Sequence, residues 1–424
     1  MKKTICICIF VSVCLLFGAC SPQIDTSGEA ELSSNTSEEL NLSENELTTA
    51  EISEEADTIE KLEGIQISTA EEFAAIANNL AETYVIVNDI DLSGLNGGAL
   101  HISGIFTGTL NGNGYSVKGL VFDETIEEFA MFEEIGSTGT IKNLGVEGST
   151  KGREVRNYSG GICITNNGTI DNCYFIGEIY GLIYSYGGIC CFNNGTISNS
   201  YFDGNIYCEQ YRQWTLTAGG IAAENTGNII NCYVKGSVAA YGEAVAGGIV
   251  AIHRSGLIEN CVNYSDVTAI FVIGTAGGIA AESGEGEASP GPRISKCLSI
   301  GNVTGIEDAG GISGWAGGWT EISNCVVLSK SIVSEWEDPP YGPRVAHIAG
   351  TSHGFWEEGM PFVKLNNNLI LENPANHFYQ RDADRIITQA EAIQADTYIS
   401  LGWDFETIWR MGENGYPELR TINN

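Results

Sequence analysis

Four of the seven tryptophans, Trp315, Trp319, Trp336 and Trp356, fall between positions 315 and 356, in company with Tyr341, His353 and Phe355. Aromatic rings stack on the C–H faces of sugars and anchor protein interfaces, so this stretch is the candidate contact surface. Lys330, Arg344 and Lys364 lie close by in sequence and would tolerate an acidic glycan. Acid–base chemistry leaves less trace. Asp89 and Asp91 are the obvious paired carboxylates, whereas Asp203, Asp266 and Asp308 fall in different repeats and read as solvated surface. Polysaccharide hydrolysis by two carboxylates gathered from separate segments leaves no local motif, so it stands as the alternative chemistry. Zinc hydrolysis needs two histidines four apart with a glutamate between them. None of His101, His253, His347, His353 or His377 has that setting. No catalytic residue, metal site or cofactor is therefore expected beyond weak Ca²⁺ binding to the acidic surface.

Charge removes one class of partner. Lys plus Arg is 20 against 54 Asp plus Glu, so 20 − 54 gives −34, and such a polyanion is repelled by nucleic-acid backbones. The thirteen cysteines include no C-x-x-C pair of the zinc kind. Five of them, Cys173, Cys232, Cys261, Cys297 and Cys325, recur at one repeat position where Ser200 and Leu144 also appear. Interchange of Cys, Ser and Leu predicts an inward column of free thiols. A disulfide among Cys163, Cys190, Cys191 and Cys208 stays open.

These residues are positioned by a repeat. Gly-Gly-Ile begins at Gly160, Gly187, Gly219, Gly247, Gly277 and Gly310, at steps of 27 (187 − 160) to 33 (310 − 277) residues. About a dozen residues later comes a second signature around Asn172, Asn199, Asn231, Asn260, Lys296 and Asn324, with degenerate copies at Asn143 and at Leu365 to Asn368. Each unit holds short runs rich in Ile, Val, Tyr and Ala separated by Gly and Asn, with no ten-residue helical stretch. The pattern predicts an all-β fold, a right-handed parallel β-helix of about eight or more rungs with short helical caps. The glycine pairs are expected to supply positive φ at a sharp corner. The asparagines are expected at the same corner, with their amides stacked from rung to rung.

The ends differ in kind. Lys2 and Lys3 precede an apolar run from Ile5 to Phe17, the length of a signal-peptide core rather than a membrane span. Phe17-Gly18-Ala19-Cys20 resembles a bacterial lipobox, which implies cleavage after Ala19, lipid on Cys20, and a place on the outer face of the cell membrane. The lipid bilayer is then a partner through that anchor only. Residues 21–64 carry thirteen acidic residues, one lysine and no aromatic, the composition of a disordered linker. The folded part runs over 65–424: N-terminal cap and first rungs at 65–120, repeats at 139–333, an insertion at 334–362, and a last rung with its cap at 363–424. Ser68 to Glu71 opens a helix expected to run to about Leu80 with Phe73, Ile76, Ala77 and Leu80 on one face, and Thr388 to Gln394 a second short helix. The aromatics from Trp403 to Trp409 are suited to plugging the far end of the core.

With the Gly-Gly-Ile and Ile-x-Asn-Cys signatures in hand, the repeats resemble the GLUG motif of bacterial surface proteins. Tyr84 to Leu92, Phe106 to Tyr115 and the closing Gly-Tyr-Pro-Glu-Leu ending at Leu419 are similar to the segments that flank such repeats. That resemblance implies the solenoid fold and kinship with parts of adhesins and with non-catalytic regions of IgA-specific metallopeptidases. The expected function is a lipid-anchored, non-catalytic adhesin or ligand-binding module for a host or environmental glycan or surface protein. A polysaccharide lyase or glycoside hydrolase and a passive surface spacer are the alternatives. In the spacer, the tryptophans would simply cover the last rungs.

Overall fold

The computed structural model describes residues 63–95, 100–123, 129–151, 158–182, 184–210, 215–284, 290–335, 344–352, 363–372 and 385–420. Within them the chain coils into a parallel β-solenoid of about eight turns, with three short α-helices. One turn shows the plan. Cys163–Asn166 forms face one, Thr169–Asp171 face two, and Tyr174–Gly181 with Ser185–Gly187 the long face three. Cys190–Asn193 then begins the next turn with Cys190 in register beside Cys163.

Like residues stack on like because each rung repeats the last. On face two, Ile141, Ile170, Ile197, Ile229, Ile258, Ile294 and Ile322 form one buried column. β-branched side chains suit this pleated, half-buried surface, and each buried isoleucine contributes roughly 1.5–3 kcal/mol. On the outside of face three, Tyr174, Tyr201 and Tyr233 stack with ring centroids 5.0 and 4.6 Å apart. Their ring faces turn toward one another, so this column offers edges rather than platforms.

The two corner signatures work differently from the expectation. None of the Gly-Gly pairs at the junction of faces three and one has positive φ. They are required by close approach: a Cβ on Gly161 would lie 2.3 Å from the Phe175 ring and 2.5 Å from the Gly188 carbonyl oxygen. Positive φ belongs to the other corner, between faces two and three. There Asn143, Asn172, Asn199, Asn231, Asn260 and Asn324 all lie at φ 49–56°, a conformation Asn tolerates better than other side chains. Their amides form the ladder: Asn172 donates to Asn143 at 2.8 Å, Asn231 to Asn199 at 3.1 Å and Asn260 to Asn231 at 3.2 Å. Asn199 instead donates to Asp171 at 2.8 Å. Lys296 (φ 52°) interrupts the series and pairs with Glu259 at 3.3 Å.

The cysteine column has a polar reason as well as an apolar one. Cys173, Cys232, Cys261, Cys297 and Cys325 are buried, and each thiol donates to the carbonyl two residues earlier at 3.2–3.4 Å. Ser200 makes the same bond at 2.7 Å. In these rungs S–H or O–H supplies a small donor at the left-handed corner, while Leu144 fills the same position in the first repeat with apolar contact alone. All nine described cysteines are free and buried, so none of Cys163, Cys190, Cys191 and Cys208 is bridged. Burial pushes the Cys261 and Cys297 thiols well up, which keeps them protonated and unreactive.

Both ends depart in detail from expectation. The first helix is Ala70–Ala74, continued by a 3-10 turn to Asn78, and Thr69 with Glu72 forms its capping box. Phe73 and Ile76 enter the core while Ala77 is exposed, because the helix tightens before Leu80. At the other end, Thr388 caps the helix Gln389–Ala392, and a second helix, Ala395–Ile399, follows. Trp403 and Trp409 do not plug the end of the core. They pack with Tyr398 and Leu401 against the outer wall of face three, over Val262, Leu298, Val326 and Leu369. Trp409 Nε1 donates to Asn260 Oδ1 at 3.3 Å, and Trp403 Nε1 to the Asn324 carbonyl at 2.9 Å. Where these rungs are covered the outward residue is Val or Leu; in the turns before them the same position is Tyr. Among the described residues no helix is long and apolar enough to cross a membrane.

Candidate functional site

The third corner of the coil is concave. Where face three meets face one, Cys191, Ala223, Ala251 and Ala281 keep the outer surface low, and all are buried. Larger groups rise on either side and leave a groove of about 440 Å³. One wall is a single register column of face one: Phe192, Glu224, Ile252 and Glu282. The other is the end of face three, with Ser185 and Thr217. Tyr158 and Tyr184 close one end, with Tyr158 5.5 Å from Tyr184 and 5.0 Å from Phe192 between ring centroids. Tyr184 holds φ 77°, a left-handed conformation that a bulky side chain adopts only under constraint.

The charged groups of the groove lie on the face-one side. Arg254, from the rung between the two glutamates, binds Glu224 Oε2 through Nε at 2.9 Å. Burial raises the Glu282 carboxyl above its usual range, the Asp308 carboxylate raises it further, and Arg254 opposes both. Asp308 is buried, not solvated surface as its sequence setting implied, because it sits on the face-three wall rather than at a turn. Arg344 lies 3.7 Å from it and 3.0 Å from Glu307. The Thr217 hydroxyl is buried with no hydrogen-bond partner among the described residues.

The residues singled out in the sequence fare unevenly. Trp315 continues the Phe192–Glu224–Ile252–Glu282 column into the next rung, half-buried, with its ring over Gly317. Trp319 is exposed at the corner between faces one and two, apart from the groove. Cys20 and the other five aromatics, Trp336, Tyr341, His353, Phe355 and Trp356, lie outside the described residues. Asp89 and Asp91 are corner groups. Asp89 accepts from the Ser116 amide and hydroxyl at 3.0 and 3.1 Å and pairs with Lys118 at 3.2 Å; Asp91 accepts from the Ser93 amide at 2.9 Å. Among the described residues no group of three or more His, Cys, Asp or Glu is placed to hold a metal ion. Phe192, Glu224 and Glu282 were missed, although each lies five residues after the first glycine of its repeat, as Trp315 does.

No family model matches the chain, and no curated protein matches it. Several solved structures match the chain, two of them as follows. One is a Bacteroides ovatus protein bearing a provisional immunoglobulin A1 protease designation, at 17% identity and a TM-score of 0.44, over 85% of this chain and 93% of that one. The other is an IgA1 protease at 14% identity and a TM-score of 0.47, over 80% of this chain and 24% of that one.

Proposed function

We propose that this chain is a lipid-anchored, non-catalytic β-solenoid displayed on a bacterial cell surface, an adhesin-like module that binds a glycan or protein through the face-one groove. The observation that carries it is the concave corner itself: aromatic side chains, hydrogen-bonding carboxylates and a buried unpaired hydroxyl converge there on a scaffold that pairs most of its buried polar groups. Such convergence on a rigid concave surface is the usual mark of a binding site. Acylation at Cys20 and the acidic linker would hold the solenoid away from the bilayer.

A hydrolase is the second reading, favoured by one observation. Glu224 and Glu282 stand two rungs apart in one column, roughly 10 Å at about 4.8 Å per rung, near the spacing inverting glycosidases use. One assay separates these readings. The purified protein is incubated with mucins, plant and host polysaccharides, matrix proteins and immunoglobulin A, and retention and newly released sugar ends are scored together. Retention without product, lost in Phe192→Ala, supports the binding module. Product release lost in Glu282→Gln overturns it in favour of the enzyme, and neither signal leaves a passive spacer.

A further inference from the structure

We propose that the groove selects uncharged glycan chains and rejects acidic ones, an inference that rests on the groove being the binding surface. The charges decide it. Two carboxylates line the cavity, Glu224 and Glu282, with the Asp308 carboxylate acting on Glu282 from the next rung, against one lining guanidinium, Arg254. Arg254 is held by Glu224, and Arg344 by Glu307 and Asp308. An anionic sugar entering here meets the two lining carboxylates and must break the Arg254–Glu224 pair before it gains a cation. The whole chain adds to that repulsion with its charge of −34. None of Lys330, Arg344 and Lys364 lines this cavity, and Arg344 pairs with Glu307 and Asp308.

A neutral sugar matches each group that is present. Its hydroxyls donate to the Glu224 and Glu282 oxygens, the acceptor-only chemistry of carboxylates. Its C–H faces pack on Phe192, Tyr158 and Tyr184, and the Thr217 hydroxyl gains the partner it lacks. The cavity spans four rungs, roughly 14 Å at about 4.8 Å per step, so it takes a short length of chain lying along the solenoid axis. A peptide strand has no equivalent purchase. Cys190–Asn193, Ala222–Asn225 and Val250–His253 are each paired on both sides in a continuous sheet, so the groove offers no free edge for strand addition.

The test uses matched probes on the purified full chain: immobilised lacto-N-neotetraose and its sialylated form, xylohexaose and its glucuronic-acid-substituted form, and immunoglobulin A. The expected result is retention on a neutral probe at least ~10-fold stronger than on its acidic partner, about 1.4 kcal/mol. Phe192→Ala should abolish that retention. Glu282→Gln should keep the neutral probe and narrow the preference, since it removes one repelling charge at constant shape. Thermal melts of both variants identify any loss caused by unfolding, and Glu282→Gln serves where Phe192→Ala fails to fold. Equal or stronger retention of the acidic partner, or Phe192-dependent capture of immunoglobulin A alone, overturns the selection while leaving the groove as a binding site. No retention of any probe, or retention indifferent to both variants, overturns the groove itself.

Discussion

His253 follows three buried asparagines, Asn166, Asn193 and Asn225, in one register column, and its replacement by Asn should remove a measurable part of the protein's acid sensitivity. A second column runs inside the corner between faces one and two: Asn166 donates to Asn193 at 2.8 Å, and Asn193 to Asn225 at 2.6 Å. The Asn225 oxygen is thus committed, and its amide nitrogen, 3.1 Å from His253 Nδ1, can only donate. Nδ1 must accept, so the proton sits on Nε2, which donates to the Arg293 carbonyl at 3.2 Å. Protonation would set Nδ1–H against the Asn225 amide in a fully buried site, and burial pushes the histidine down to about 4 from 6.5. A base with a depressed pKa binds fewer protons folded than unfolded. Its contribution is therefore complete above pH 6.5 and is lost as pH falls toward 4. The full loss is 6.5 − 4, or 2.5 units at about 1.36 kcal/mol each, roughly 3 kcal/mol, of which about 2 kcal/mol is gone by pH 5. In the His253→Asn variant the new amide should donate to the Arg293 carbonyl, as Asn166 and Asn193 donate to the carbonyls of Thr196 and Asn228, both at 3.3 Å. Denaturant unfolding at pH 7.5 and pH 5 checks this. His347, also held near 4, and Glu282, whose raised carboxyl works in the opposite sense, are common to both proteins and cancel in the comparison. If His253→Asn loses as much stability as wild type between the two pH values, the neutral ring in the column is not what is titrating.

Other expectations follow from the same packing. Cys261→Ser should cost under about 1 kcal/mol, because the hydroxyl keeps the bond to the Glu259 carbonyl, whereas Cys261→Ala should cost about 1–3 kcal/mol; chemical denaturation compares them. The nine described thiols should resist alkylation in the native protein and react on unfolding, as read by mass spectrometry of labelled peptides. Gly204→Ala should destabilise by more than about 3 kcal/mol, since its Cβ would lie 1.8 Å from the Gly177 oxygen, while Gly94→Ala, with nothing within 4 Å, should melt like wild type. Trp409→Ala should loosen residues 385–420 and leave the rungs intact, seen as faster hydrogen exchange confined to that segment and its footprint on Val262 and Leu298.

The solenoid was legible because its constraints repeat. A corner that needs left-handed backbone writes Asn at nearly every turn, and a junction where rungs nearly touch writes Gly-Gly at every turn, so period alone reveals them. The meaning of each signature was less legible than its presence. Gly-Gly looks the same whether it supplies positive φ or close approach, and the backbone angles together with the 2.3 Å gap at Gly161 distinguish the two. The C-terminal aromatics misled for a similar reason. Burial of Trp403 and Trp409 was expected, but a buried tryptophan does not say whether it lies inside a coil or against its wall. The clue lay in the repeats: the outward face-three position changes from Tyr201 and Tyr233 to Val262, Leu298 and Val326 where the segment lies over it.

That change of residue type along a column also bears on the groove. Some columns stay uniform from rung to rung, as isoleucine does on face two and asparagine at most turns of its corner. The face-one outer column reads Thr165, Phe192, Glu224, Ile252, Glu282, Trp315. Stacking physics asks nothing of the kind: like residues would serve the sheet equally well, and two glutamates two rungs apart with an arginine between them are not a packing solution. This outer column on face one mixes aromatic, aliphatic and charged side chains, and Phe192 to Glu282 of it line the cavity. Clustering of aromatics along the sequence points to only one member of it, Trp315, because register partners stand about thirty residues apart along the chain and about 4.8 Å apart in space. Sites on a solenoid are read down the columns.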